Sequence, residues 1–70
     1  MNKAKIKGRM AELGIQQKDI AQAWNCAVPT VSQKINGIRP IDLTEAEILA
    51  KLLKLSDLEY YVFFFESEIA

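Results

Sequence analysis

Apolar residues recur along the chain at helical spacing and divide it into five segments. In the first three segments they stand three, four or seven positions apart, at Ile6, Met10 and Leu13, at Ile20 and Trp24, and at Val31 and Ile35. A fourth apolar group spans 48–55, and an aromatic run follows at 60–65. We therefore predict an all-α fold with helices over about 2–13, 16–24, 29–35, 44–54 and 57–65.

Residues typical of helix ends stand between these segments. Gly14 is placed to end the first helix, and Asn25, which tolerates the left-handed conformation, is placed to end the second. Pro29 suits the first turn of the third helix, where its missing N–H costs nothing. Asn36-Gly37 is a stop followed by a turn. The sequence thus predicts two short helices joined by a tight turn between 14 and 37.

Two capping boxes are predicted in the second half of the chain. Thr44 and Glu47 have the required spacing and would open the fourth helix. Ser56 and Glu59 have the same spacing and would open the fifth.

The stretch 14–37 resembles the helix-turn-helix of the phage Cro/repressor type, also called the xenobiotic response element family. The matching features are the Gln17 start, the Ile20-Ala21 pair, the Thr30-Val31-Ser32 core of the second helix and the Asn36-Gly37 exit. The resemblance implies a five-helix, lambda-repressor-like DNA-binding domain over 1–70, with the motif at about 16–37. It also implies that a recognition helix at about 29–36 lies in the DNA major groove.

The resemblance implies base contacts from the outward residues of that recognition helix. Gln33 is the best reader, because its amide can bond adenine N6 and N7 together. Val28 and Pro29 can contact thymine methyl groups, and Thr30 and Ser32 are short enough to serve bases or phosphates. Pro29 stands where many family members present a long polar side chain, so we expect modest discrimination, helped by DNA shape. The alternative for Gln33 is a solvated surface residue.

Phosphate contacts are implied at both ends of the motif. In the family, a glutamine at the place of Gln17 holds a phosphate together with the helix N-terminus, and Gln16 is the neighbouring candidate. Lys34 and Arg39 are the expected phosphate clamps, with Asn36 as a hydrogen-bond donor. The alternatives are a glutamine that only caps its helix and exposed charges without a partner.

Two features of the expected core depart from the family. Some members bury an Arg–Glu pair between the first and third helices, whereas Met10 and Ile35 occupy the corresponding places. Packed apolar residues are an acceptable replacement, since buried ion pairs often gain little over them. Trp24 stands where the family usually has Leu or Val, and its register with Ile20 predicts a core position.

The residue types present argue against an enzyme. The chain has no histidine and a single cysteine, so a Cys/His nucleophile pair and a Cys/His zinc site are both excluded. We expect no catalytic residue, no metal and no cofactor. One cysteine also excludes an internal disulfide, and no signal peptide or membrane-spanning run is visible. We therefore expect a cytoplasmic protein in which Cys26 is a half-buried filler.

Net charge is zero, yet the charges separate along the chain. Residues 1–39 carry seven Lys or Arg against two Asp or Glu, or +5, whereas residues 40–70 carry two against seven, or −5. Salt screens charges beyond about 8–10 Å, so a phosphate backbone responds to the nearby basic half more than to the total. The separation favours nucleic acid as a partner. The alternative is that the charges only solvate the surface.

The fifth helix presents aromatic side chains almost all round, which is more than one core-facing side requires. We expect Tyr61, Phe64 and Phe65 to contact a second subunit, because large exposed apolar patches usually mark contacts. The resembled family often dimerises through this region. The alternative is that the end of the helix tucks under the first helix and hides most of these rings.

Two functions are consistent with these patterns. The first is sequence-specific binding of double-stranded DNA, as a homodimer, by a transcription regulator in phage or bacterial gene control. Such a chain would be a minimal Cro-like protein or a fragment of a larger repressor. The second is a protein-interaction module on the same scaffold with weak or no DNA binding, which zero net charge and Pro29 favour. Neither a membrane nor a small-molecule substrate is expected as a partner.

Overall fold

Five α-helices account for most of residues 1–66, the part of the chain that the structure, a computed structural model, describes. They are α1 (Lys3–Leu13), α2 (Gln17–Trp24), α3 (Val28–Ile35), α4 (Leu43–Leu52) and α5 (Asp57–Phe65). No strand occurs in those residues. The prediction of an all-α, five-helix fold is confirmed.

The predicted helix ends of the first half are confirmed by backbone geometry. Gly14 ends α1 with φ 68°, and Asn25 ends α2 with φ 56°, both in the left-handed region. Pro29 lies in the first turn of α3. Asn36 follows the last residue of α3, and Gly37 continues with φ 80°. The turn between α2 and α3 is therefore only three residues long.

The capping box predicted for α4 is wrong by two residues. Asp42 is the N-cap: its Oδ1 accepts from the backbone N–H of Glu45 at 2.7 Å, and Glu45 Oε1 accepts from the N–H of Asp42 at 3.1 Å. Asp-x-x-Glu and Thr-x-x-Glu have the same spacing, and aspartate is the stronger N-cap. Glu45 of this box also contacts α2 and α3, through Trp24 and Lys34.

The other end of α4 also differs from the prediction. The helix stops at Leu52 rather than near Lys54, which adopts a left-handed conformation with φ 54°. The second predicted box is confirmed. Ser56 Oγ accepts from the N–H of Glu59 at 3.2 Å, and Glu59 Oε1 accepts from the N–H of Ser56 at 3.0 Å.

The core draws on every helix. Its buried members are Ile6, Met10, Ile20, Ala21, Trp24, Val31, Ile35, Leu49, Leu53 and Phe63. Trp24 is 8% exposed and its Nε1 donates to the backbone carbonyl of Glu45 at 3.0 Å, so its predicted core position is confirmed. Met10 and Ile35 are both buried, as the apolar replacement requires. Leu13 departs from the predicted stripe, since it is 39% exposed.

Arg9 joins α1 to the second half of the chain. Its Nη1 donates to the carbonyl of Leu53 at 3.0 Å, and its Nη2 forms an ion pair with Glu59. The guanidinium also lies 5.5 Å from the centroid of the Phe63 ring. A second pairing, from Nε to Glu12 at 3.5 Å, involves a largely exposed carboxylate. Arg9 thus satisfies a carbonyl at the end of α4 and positions α5 against α1.

The start of the chain is fixed to α5 by Asn2. Its backbone N–H donates to the carbonyl of Phe63 at 2.7 Å, while its side chain caps α1 by accepting from the N–H of Lys5 at 3.2 Å. Asn2 is consequently buried, although asparagine is mostly a surface residue.

Candidate nucleic-acid interface

The pair α2 and α3 presents one side to the core and the other to solvent. Ile20, Ala21 and Trp24 of α2 and Val31 and Ile35 of α3 form the buried sides. The N-cap of α3, Ala27, offers no side-chain hydrogen bond. The first turn of α3 is therefore left without a side-chain acceptor, in a position that a ligand can approach.

The outward face of α3 carries the residues predicted to contact bases. Three of them are exposed: Val28 (43%), Pro29 and Gln33. The other two, Thr30 and Ser32, are half-buried. Within residues 1–66 the side-chain amide of Gln33 makes no hydrogen bond, so both its donor and its acceptor are available. Of these five residues, Val28, Pro29 and Gln33 are thus open to solvent and Thr30 and Ser32 only in part, and Gln33 is the best equipped to read a base.

The loop after α3 folds back onto the same residue. The backbone carbonyl of Gln33 accepts from the N–H of Ile38 at 2.8 Å and from that of Arg39 at 3.3 Å. Both side chains are exposed, and Arg39 forms no ion pair within the described residues. The backbone of Arg39, whose guanidinium has no ion-pair partner within residues 1–66, is therefore held beside the last turn of α3, which carries Gln33.

The N-terminus of α2 holds Gln16 as N-cap and Gln17 as first residue, and Gln17 is half-buried. Asp19 Oδ2 accepts from the backbone N–H of Gln16 at 2.8 Å. This helix end, at which a phosphate was expected, thus already carries a carboxylate. An anion that approaches it would meet the N–H groups of Gln17 and Lys18 together with the charge of Asp19.

Lys34 is directed inward, in contrast to the expected phosphate clamp. Its side chain is 14% exposed, its Nζ pairs with Glu45, and it lies 5.9 Å from the centroid of the Trp24 ring. Glu45 in turn is set in place by the box at Asp42. The ammonium of Lys34 is therefore engaged in joining α3 to α4.

Asn36 uses both ends of its side-chain amide inside the protein. Its Nδ2 donates to the carbonyl of Ser32 at 2.8 Å, and its Oδ1 accepts from Nζ of Lys7 at 2.7 Å. Lys7 was not among the residues predicted for this interface. Lys7 is one of several exposed lysines on α1, and its contact with Asn36 joins positions 29 residues apart, for which no local pattern gives a signal.

The separation of charge along the chain is only partly a separation in space. Two cations of the basic half, Arg9 and Lys34, pair with carboxylates of the acidic half. The five others form no ion pair within residues 1–66: Lys3, Lys5, Lys7, Lys18 and Arg39. Glu68, counted in the acidic half, lies outside the described residues. The positive potential available to a partner therefore comes from α1, the start of α2 and the loop after α3.

The aromatic rings of α5 divide into buried and exposed sets. Phe63 is buried and Phe64 is half-buried against the core, whereas Tyr61 is 56% and Phe65 62% exposed. Leu58, 73% exposed, lies three residues before Tyr61 and seven before Phe65, so the three share one face of α5. Tyr60 is also half-buried, so the tucked alternative accounts for Phe63 and in part for Tyr60 and Phe64, and it leaves Tyr61 and Phe65 exposed.

A groove of about 330 Å³ adjoins this face. It runs between the loop after α3, the start of α4 and the end of α5, and its lining includes Arg39, Ile41, Leu43, Phe64 and Phe65. No helix within residues 1–66 has the length and apolar character needed to cross a bilayer.

Comparison with known protein families identifies a match over most of the chain. A family model described as helix-turn-helix, of the Cro/C1 type, matches residues 6–60, which is more than half of the chain. No curated protein and no solved structure matches the chain.

Proposed function

We propose that this protein, which belongs to the Cro/C1-type helix-turn-helix family of DNA-binding transcription regulators, binds double-stranded DNA sequence-specifically through α3. One observation carries the proposal. The free amide of Gln33 stands on the outward face of α3, while the carbonyl of the same residue holds Arg39 beside it. The backbone positions of a base reader and a phosphate binder are thus held next to each other, which suits docking in a major groove.

The assignments on α3 follow its exposed chemistry. Gln33 bonds an adenine, Val28 and Pro29 lie against thymine methyl groups, and Thr30 and Ser32 contact the flanking base edges or phosphates. Among these five residues, only Gln33 has a side chain long enough to bring both a donor and an acceptor to a base. Discrimination therefore rests mainly on Gln33, and the remaining preference comes from DNA shape.

Phosphate contacts surround that face. Arg39 binds the backbone on one side of the groove, and the N–H groups at Gln17, with Gln16 beside it, bind on the other. Asn36 contacts the backbone only through the part of its amide that Ser32 and Lys7 leave open. We leave Lys34 out of this set, because its ammonium already has Glu45 as a partner.

The proposal is tested by fluorescence anisotropy with duplexes of different sequence at low salt. We expect Gln33→Ala to lose preference among duplexes, since a bidentate contact supplies about 1–3 kcal/mol of discrimination. Arg39→Ala should instead weaken binding to every duplex and reduce the slope of log affinity against log salt by about 1. The matched control is Gln22→Ala, which removes an exposed glutamine from α2.

The same titration decides between this function and a protein-interaction module. Asp19 at the start of α2, together with the two cations that are neutralised internally, favours the second reading. Counterion release makes DNA binding fall steeply with salt. A wild-type protein without measurable or salt-dependent affinity for any duplex would refute the DNA-binding proposal.

A homodimer completes the proposed regulator, in phage or bacterial gene control. We place the second copy on the face of α5 formed by Leu58, Tyr61 and Phe65, with Phe64 at its edge. Apolar side chains of this size are seldom left together in water. Two copies would present their α3 helices to successive major grooves about 34 Å apart.

Sedimentation velocity over a range of concentrations tests the dimer. We expect the wild type to shift from monomer to dimer as concentration rises, and the double variant Tyr61→Ser with Phe65→Ser to remain monomeric, because it loses the apolar area that drives association. Ile38→Ser, which alters an even more exposed apolar residue outside α5, should dimerise as the wild type does. A wild-type protein that stays monomeric at the highest concentration contradicts the proposal.

A further inference from the structure

A hydrogen bond from α1 reaches the end of α3. Nζ of Lys7 donates to Oδ1 of Asn36 at 2.7 Å, and both groups lie near the protein surface. None of the contacts assigned to DNA so far comes from α1. The position of this ammonium is nevertheless set by the recognition helix itself, since Asn36 is the residue that ends α3.

Asn36 is held so that its oxygen faces Lys7. Its Nδ2 donates to the carbonyl of Ser32 at 2.8 Å, and its backbone N–H donates to the same carbonyl at 3.0 Å. With the amide nitrogen turned onto the helix, the oxygen points away from it. A cation beside the carbonyl end of a helix is also favoured by the helix dipole.

The ammonium of Lys7 has donors to spare. A lysine offers three N–H bonds, and Asn36 takes one of them. Lys7 forms no ion pair within residues 1–66, in contrast to Arg9 two positions later. The charge is therefore uncompensated by the protein and stands next to Asn36, from which the loop to Arg39 begins.

We propose that Lys7 is a DNA-phosphate-binding residue supplied by α1, and that Asn36 positions its ammonium at the edge of the groove entered by α3. The ligand group is a phosphodiester of the duplex backbone. This inference rests on the proposed function and adds a contact on a third element, besides the start of α2 and the loop after α3. In this arrangement α1 contacts α5 on one side and the DNA backbone on another.

Lys5 provides a matched control on the same helix. It is also an exposed lysine, but it lines a recess formed with Arg9, Glu12, Glu59 and Phe63. It therefore lies on the side of α1 that faces α5 and its carboxylates, and not the side that faces α3. Lys5→Met and Lys7→Met change the net charge equally, so any difference between them reports position.

The experiment measures anisotropy of the full chain on several duplexes across a salt series. We expect Lys7→Met to lower affinity by a similar factor on every duplex and to reduce the salt slope by about 1, with Lys7→Arg close to wild type. Lys5→Met should keep the wild-type slope. Equal behaviour of Lys7→Met and Lys5→Met overturns the inference while leaving the proposed function intact.

Two further outcomes are decisive. Lys7→Gln retains a donor for Asn36 but no charge, so full binding by this variant would show that Lys7 only steadies α3 and would overturn the phosphate contact. A wild-type protein that binds no duplex overturns the proposed function, and this inference with it. Thermal melting of each variant shows whether a lost contact with DNA is instead a lost fold.

Discussion

Trp24→Ala should lower the free energy of unfolding by about 3–5 kcal/mol, the range for removing a large aromatic side chain from a core. Trp24 is 8% exposed and contributes to packing among α2, α3 and α4. A chain of this length has a total stability of roughly 4–10 kcal/mol. The substitution therefore removes a large share of what keeps the protein folded, and unfolding is expected at a much lower urea concentration than in the wild type.

Trp24→Phe separates the ring from its N–H. It keeps most of the packed volume and removes the hydrogen bond to the carbonyl of Glu45, so we expect a loss of only about 1 kcal/mol. Urea unfolding followed by far-UV circular dichroism measures both variants. Tryptophan fluorescence does not serve here, because both variants lack the only tryptophan of the chain. A loss below about 1 kcal/mol for Trp24→Ala would be inconsistent with its place in the core.

Arg9→Met should destabilise the protein by about 1–3 kcal/mol, since it leaves the carbonyl of Leu53 without its side-chain donor while keeping the aliphatic stem. It also removes the partner of Glu59. Glu12→Gln, which alters the exposed and more distant contact of the same arginine, should have little effect. Equal losses for the two variants would show that Arg9 acts through Glu12.

The effect of Arg9→Met should shrink in acid. The N–H of Ser56 and then the guanidinium of Arg9 lower the pKa of the Glu59 carboxyl below its ordinary value. A carboxyl with a lower pKa in the folded state stabilises the protein above its unfolded pKa, about 4.3, and this contribution is lost as pH falls through the folded pKa. Urea unfolding near neutral pH and well below pH 4 should therefore show a smaller difference between wild type and variant in acid.

The elements of the fold were predictable because their signals are local. Gly14, Asn25 and Pro29 define helix ends by their own backbone preferences, and all three act as predicted. The start of α4 was not decided by local rules, since two boxes of equal spacing overlap there. Asp42 is the N-cap in the structure, in which Glu45 also contacts Lys34 and Trp24. Those two partners belong to other helices.

The predicted interface likewise has features that local sequence determines and features that it does not. The exposure of Gln33 follows from its position in the helical repeat of α3. The exposure of Arg39 follows from its place in the loop that begins around Gly37. The orientation of Lys34 depends on where Glu45 lies. The proposed phosphate contact of Lys7 depends on the orientation of the Asn36 side-chain amide. Each of these depends on the packing of one helix against another, which spacing along a single helix does not reveal.

The contacts that join α1 to α5 connect the most distant parts of the described chain. Arg9 and Glu59 are 50 residues apart, whereas α2 and α3 are separated by a short turn. Closing a long loop costs more conformational entropy than closing a short one, and the cost is met before the contacts form. Folding is therefore expected to begin in the segment from α2 to α4, and the ends of the chain meet last.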